Sequence, residues 1–232
     1  MSVPGQTIVS PAATGEIAAV GAAVTSPRSP RCTGVILAGG PATRFGGRPK
    51  GLAPVGGVRI IDRVAAALRF ACDELLLVAN DPTAASWLAG VPVVADVRPG
   101  LGSLGGLLTA LVRATTPVLI VAWDMPFVPG ALLGELRRVG ETDRYDVVVP
   151  MSGSPRGVEP LCAYYTQACG AAIGRRLDAG DRRVIGFYDD VRVDRVASDV
   201  VQRYGDPDRM FLNVNAPMDL EAAEALTDAA DG

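Results

Sequence analysis

Residues 37–50, L-A-G-G-P-A-T-R-F-G-G-R-P-K, hold the densest chemistry in the chain: four glycines, two arginines and a lysine after a short apolar run. Glycines let a backbone pass close to phosphates, and successive amides can form an anion-binding nest. Arg44 and Lys50 add fixed positive charge where a chain of phosphates would lie. The pattern is neither a G-K-[ST] loop nor G-x-G-x-x-G, yet it reads as a phosphate-binding loop. A second candidate is Asp124 in W-D-M-P, at the end of the most apolar run. A carboxylate there is well placed to hold Mg²⁺ against phosphates. An Asp shortly before Pro126 also fits a helix N-cap; its pairing with the glycine-rich loop favours the metal.

What the chain lacks narrows the chemistry further. It has 232 residues and no histidine. That excludes Ser-His-Asp and Cys-His nucleophile pairs, H-E-x-x-H metal helices and an imidazole proton shuttle. Catalysis is left to carboxylates, Lys, Arg, backbone amides or a bound metal. A net charge of −3 argues against a protein that mainly grips nucleic-acid backbone. The cysteines Cys32, Cys72, Cys162 and Cys169 are scattered without C-x-x-C spacing, and read as small apolar residues in a reducing cytoplasm. Charges or prolines interrupt every apolar run before membrane-spanning length. Residues 1–31, rich in Ala, Val, Ser and Pro with Glu16 in their middle, fit a signal peptide poorly and read as a flexible leader. Residues 32–228 are expected to form one domain.

The elements that must position these residues follow from periodicity. Aromatics make up only 5% of the chain, so the core is aliphatic, which suits strands buried on both faces under helices. Strands are expected at 34–38, 74–79, 91–95, 118–122 and 146–150, and helices at 60–70, 102–113 and 129–139. Strand and helix alternate with short connections, which predicts a parallel sheet with right-handed crossovers. Sites in such sheets lie beyond the carboxyl ends of the strands, so the loops at Ala38, Asn80, Asp96 and Asp124 should gather along one edge. Beyond Pro150 the rhythm loosens, with strands at 159–165 and 191–196 and helices at 168–179 and 216–226. The fold class is α/β, a three-layer α/β/α arrangement on a mostly parallel, Rossmann-like sheet.

Leu37-Ala38-Gly39-Gly40, Arg44, Gly46-Gly47 and Lys50-Gly51-Leu52 resemble the opening signature of the molybdenum cofactor guanylyltransferases. Further matches follow in order: Asp96, G-L-G-S-L-G-G at 100–106, Asp124-Met125-Pro126, Glu159-Pro160-Leu161, G-D-R-R-V at 180–184 and F-L-N-V-N at 211–215. The resemblance covers residues 33–226; the R-R-V and N-V-N elements narrow it most. It implies the nucleotide-diphospho-sugar transferase fold and a site assigned residue by residue. Leu37, Ala38, Gly39 and Gly40 would line the guanine and ribose end of GTP, Asn80 and Asp96 would hold the nucleoside, and Lys50 would contact phosphates. Asp124 would ligate Mg²⁺. Asn213 and Asn215 would face the pterin acceptor or its phosphate. Arg182 and Arg183 either grip that phosphate or form a solvated turn.

The implied reaction is attack by the phosphate of Mo-molybdopterin on the α-phosphorus of GTP, releasing pyrophosphate. A phosphate monoester is already ionised near neutral pH, so fixed cations and amides can supply the catalysis without a strong base; Arg44, Lys50 and Asp124 with its metal are the candidates. Transient contact with the molybdenum-insertion protein and with molybdoenzyme chaperones is implied too. CTP in place of GTP, a sugar-phosphate acceptor, or a GTP-binding regulatory module without transfer are the alternatives. Asp189-Asp190 reads as surface charge and Asp206 to Asp208 as a loop. Trp87 and Trp123 read as packing residues, and one of Tyr164 and Tyr165 would be free to line the acceptor pocket.

Overall fold

All six residues of Thr33–Ala38 and all five of Val118–Ala122 are buried, as strands covered on both faces must be. They are the two central strands of the computed structural model, which describes residues 1, 31–39 and 49–228. Most of the expected leader, and the middle of the glycine-rich loop with Gly40 and Arg44, lie outside the described residues.

The elements run β1 (Thr33–Ala38), a 3₁₀ turn (Lys50–Leu52), β2 (Pro54–Val55), β3 (Val58–Arg59), α1 (Ile60–Ala71), β4 (Glu74–Ala79), β5 (Val93–Val94) and α2 (Gly102–Arg113). Then come β6 (Val118–Ala122), α3 (Gly130–Gly140), β7 (Val147–Pro150), β8 (Cys162–Tyr165), α4 (Cys169–Asp178) and β9 (Val193–Val196). Short helices α5 (Ser198–Val201) and α6 (Pro207–Met210) lead to α7 (Pro217–Asp228).

Seven strands form the main sheet in the order β5-β4-β1-β6-β8-β7-β9. All pairings are parallel except those of β8, which runs antiparallel to both β6 and β7. Alternate residues of each strand feed opposite cores. Ile36, Leu77, Leu119 and Val121 pack under α1 and α3 on one face, and Val35, Val78, Val118 and Ile120 under α2 and α4 on the other. The three-layer α/β/α arrangement is thus observed. Helix α1 shows why its sequence is helical: Ile61, Val64, Ala65 and Leu68 fall on one buried stripe.

Several expectations shift. The strand expected at 91–95 shortens to Val93–Val94, because Pro92 has no N–H for a ladder, although its carbonyl accepts from Leu77 N at 2.9 Å. The strand expected from 159 begins at Cys162, where Cys162 N closes a turn onto the Glu159 carbonyl at 3.0 Å. The segment 206–208 is not a loop: Asp206 caps α6, its carboxylate accepting from Asp208 N. Tyr164 and Tyr165 take opposite faces but are 2% and 0% exposed, so neither reaches a pocket. The β2–β3 hairpin, turned by Gly56-Gly57 at φ 57° and 71°, is an element that strand-length patterning passes over.

Candidate active site

The carboxyl ends of β1, β4 and β6 open into a cleft of about 790 Å³. Its floor is the end of β6. Trp123 N bonds the Leu37 carbonyl at 3.1 Å and Ala122 N bonds the Leu161 carbonyl at 2.9 Å, so Asp124 leaves the sheet between the ends of β1 and β8. Asp124 N-caps no α-helix: α3 starts at Gly130 behind Pro129.

Lys50, Asp124 and Asn215 converge at the centre. Lys50 Nζ donates to Asp124 Oδ2 and, at 2.6 Å, to Asn215 Oδ1. Each partner is placed by its own device. Lys50 opens the 3₁₀ turn, whose Gly51 lies against the Trp123 ring; a Cβ there would sit 2.5 Å from Trp123 Cε3. Only glycine lets the turn come that close. The loop bearing Asn213 and Asn215 is clipped beneath Asp124 by Val214 N bonding the Asp124 carbonyl at 2.9 Å. Asp219 in the first turn of α7 accepts from Asn215 N and Ala216 N at 2.7 and 2.8 Å. Asn213 Nδ2 donates to the Phe211 carbonyl at 2.9 Å, and Asn213 also lines the cleft.

Asp124 is 7% exposed, and its second oxygen, Oδ1, is buried without a hydrogen-bond partner among the described residues. A buried acceptor left unsatisfied costs about 1–3 kcal/mol, which a cation or donor in the cleft would relieve. The donor set around it, a carboxylate and an amide oxygen, is the hard oxygen chemistry that Mg²⁺ takes, usually with one or two carboxylates plus phosphates. The site therefore fits a divalent metal with Asp124 as its protein anchor.

One wall of the cleft holds Leu37, Ala38, Gly39, Asn80 and Asp96. Asn80 and Asp96 are locked in a reciprocal pair, Asn80 Nδ2 donating to Asp96 Oδ2 at 2.7 Å and Asp96 N to Asn80 Oδ1 at 2.8 Å. Thr109 Oγ1 stands 3.4 Å from the other Asp96 oxygen and accepts from Val97 N at 3.0 Å. Beside them α2 begins, its amides uncapped by any side chain after Gly100 and Gly102 at φ 78° and 65°. Free amides at a helix start attract anions, and Gly102 and Ser103 face the cleft.

The opposite wall comes from the β7–β8 connection: Ser154, Pro155, Arg156, Glu159 and Leu161. Burial raises the Glu159 carboxyl above its ordinary value; the Leu161 amide and the charge of Arg156 pull it back, and Asp124 adds to the rise. Ser103, Ser154, Arg156 and Glu159 had no task in the sequence reading, and only Ser103 and Glu159 belonged to quoted motifs.

Arg182 and Arg183 are not among the cleft-lining residues. Arg182 Nη1 donates to the Gly100 carbonyl at 3.1 Å, at the rim, while Arg183 folds back on Asp181 at 2.8 Å. Arg44 and Gly40 lie outside the described residues. The structure brings together Leu37, Ala38, Gly39, Lys50, Asn80, Asp96, Asp124, Asn213 and Asn215, all from the sequence reading, on one cleft.

Comparison with known proteins follows the same lines. Residues 34–193 match the MobA-like NTP transferase domain. A molybdenum cofactor guanylyltransferase of Desulfosudis oleivorans is 38% identical over 200 residues, spanning 85% of this chain and 96% of that protein. A probable molybdenum cofactor guanylyltransferase of Pelotomaculum thermopropionicum is 36% identical, over 85% and 94% of the two chains. Among solved structures, molybdopterin-guanine dinucleotide biosynthesis protein A of Archaeoglobus fulgidus superposes with a TM-score of 0.72 at 25% identity, covering 85% of this chain and 99% of that one. By this domain match and these relatives the chain belongs to the MobA-like NTP transferases, the family of the molybdenum cofactor guanylyltransferases.

Proposed function

We propose that this cleft transfers GMP from GTP to Mo-molybdopterin, forming the guanine dinucleotide cofactor and releasing pyrophosphate. The observation that carries the reading is the Lys50–Asp124–Asn215 cluster, with the buried, unpartnered Asp124 Oδ1 beside it. An acceptor phosphate oxygen bonds to the α-phosphorus as the bond to the β-phosphate oxygen breaks, and the electron pair leaves on pyrophosphate.

The chain's own residues do three things for this step. Asn80 and Asp96, held rigid by their mutual hydrogen bonds, bind the nucleoside, with Leu37, Ala38, Gly39 and Gly40 along its base and ribose. Lys50, Arg44 and the α2 amides hold phosphate oxygens and offset the charge that grows there. Asn213, Asn215, Arg182 and Arg183 meet the acceptor, Arg182 through the rim at Gly100. Mg²⁺ anchored on Asp124, when bound, supplies Lewis-acid polarisation of the phosphates. Fixed donors aimed at developing charge are typically worth about 3 kcal/mol each, on the order of a hundredfold in rate.

The functional unit is residues 32–228, working in the cytoplasm; among the described residues no helix is long and apolar enough to cross a membrane. Handover to molybdoenzyme chaperones and receipt from the molybdenum-insertion protein are the partner contacts we assign.

The test uses the purified chain with GTP, Mg²⁺ and Mo-molybdopterin, and reads both pyrophosphate and dinucleotide. Asp124→Ala and Lys50→Ala are each expected to lose about a hundredfold or more in turnover while keeping the wild-type circular dichroism spectrum. Competition among the four nucleoside triphosphates should leave GTP the preferred donor. Near-normal turnover in either variant, or preference for CTP, would overturn the reading.

A further inference from the structure

Among the described residues that line the cleft, Lys50 and Arg156 are the only two cations. Lys50 is already engaged by Asp124 and Asn215. Arg156 is exposed and has neither a hydrogen bond nor an ion pair with a described residue, and its charge is felt by the Glu159 carboxyl.

A side chain without a partner is often just solvated, but the backbone carrying Arg156 is held firmly. Ser154-Pro155-Arg156-Gly157 is a β-turn closed by Gly157 N onto the Ser154 carbonyl at 2.8 Å, with Pro at its second position. Ser154 Oγ donates to the Val158 carbonyl at 3.0 Å and lies 2.9 Å from Ser152 Oγ, and Ser152 N bonds the Gly157 carbonyl at 3.1 Å. Met151 and Val158 close the base of this loop as an antiparallel bridge. The turn thus presents a free guanidinium on a fixed support, as a binding group should be presented.

Topology decides which reactant it meets. Strand β6, ending at Asp124, lies between β1, β4 and β5 on one side and β8 and β7 on the other. Leu37, Asn80, Asp96 and the α2 amides belong to the first side; Arg156 lines the cleft from the second. The phosphates that enter from the second side are the acceptor's, which carries a dianionic monoester into a cleft already lined by Asp96, Asp124 and Glu159. A guanidinium binds such a group through two parallel N–H bonds.

We propose that Arg156 binds the acceptor phosphate from within the cleft, beside the rim residues Arg182 and Arg183. The assignment rests on the GMP-transfer reading above.

The experiment measures KM for Mo-molybdopterin at saturating GTP, KM for GTP at saturating acceptor, and GTP affinity by calorimetry, for wild type, Arg156→Ala and Arg156→Lys. The alanine variant is expected to raise acceptor KM about 10- to 100-fold, the size of a lost charge-assisted hydrogen-bond pair, with GTP affinity within about twofold of wild type. Lysine should restore part of the loss, because it returns the charge without the planar fork. Acceptor KM should also rise less steeply with salt in the alanine variant. An acceptor KM unchanged by Arg156→Ala, or GTP affinity falling in step with it, overturns the assignment and leaves the transfer reaction standing. Absence of dinucleotide from the wild-type chain instead overturns the reading on which it rests.

Discussion

Asn80 and Asp96 stand sixteen residues apart, yet each satisfies the other through a side chain and a backbone amide. The sequence reading named both for nucleoside binding; the structure adds the reason they act as a unit. Asn80→Ala removes both hydrogen bonds and leaves Asp96 with only the long contact to Thr109. The expected result is a KM for GTP raised about tenfold, the scale of one hydrogen bond to a charged group, with acceptor KM unmoved in steady-state kinetics. At the same scale, Lys50 and Asp124 could be singled out by residue type alone, one closing a glycine-rich loop and the other ending an apolar run. Asn215 was readable only through family resemblance. Its contact with Lys50 spans 165 residues, and no local pattern encodes that distance. Arg156 stayed hidden for another reason: S-P-R-G is an ordinary turn motif, and a turn becomes a site only when the sheet order places it over a cleft.

Elements aim these groups, and two contacts carry that task. The first is Gly51 against Trp123: Gly51→Ala would drive a methyl group into an indole ring whose backbone is part of the β6 floor. Overpacking of this kind costs about 1–3 kcal/mol, and because Lys50 is the next residue, turnover should fall further than stability. Thermal unfolding and initial rates on the same preparation separate the two. The second is Tyr165, whose hydroxyl donates to the Pro160 carbonyl at 2.7 Å and lies 3.0 Å from the Tyr188 hydroxyl, fully buried. That bond pins the residue following Glu159. Tyr165→Phe should lower stability by about 1–2 kcal/mol by leaving a buried acceptor unpaired, read as a reduced urea midpoint. Helix α2 and strands β4 and β6 followed directly from apolar runs, at the bounds periodicity predicts. Strand β5 and the start of β8 did not: Pro92 has no N–H to offer a ladder, and the turn from Glu159 to Cys162 delays the pairing of β8.

At the scale of the molecule, the alternation of strands and helices made a parallel sheet legible as far as Pro150. The direction of β8 was not assigned there, although a connection from β7 without a helix is what an antiparallel neighbour allows. The far edge of the sheet depends on charge. Asp146 accepts from Arg192 N at 3.0 Å, Nε at 3.0 Å and Nη2 at 2.8 Å, while Asp146 N bonds the Arg192 carbonyl at 2.8 Å, tying the entry of β7 to that of β9. The Arg192 guanidinium, partly opposed by burial, holds the Asp146 carboxyl below its ordinary value of 3.8. A depressed carboxylate stabilises the fold fully above that ordinary value and loses the contribution as pH falls through the folded one. Arg192 is 59% exposed, so solvent screening keeps the contribution small. Arg192→Ala should therefore be slightly less stable than wild type from neutral pH down to about pH 5, with the gap closing in stronger acid, as chemical denaturation across the pH range would record.

The chain has two tryptophans, and they face one another, Trp87 and Trp123 with ring centroids 5.2 Å apart and planes 17° from parallel. One adjoins Asp124 and lies under Gly51; the other hangs its indole N–H on Thr83 Oγ1 at 3.1 Å, just beyond Asn80. All of the indole emission thus arises from a single stacked pair set between the Asn80 side of the cleft and its Asp124 floor. Exciton coupling between such rings varies with their separation and tilt, so occupancy of the cleft should be visible as a change in ultraviolet dichroism and fluorescence without any label. Trp87→Phe would silence that coupled signal while leaving the indole beside Asp124 in place.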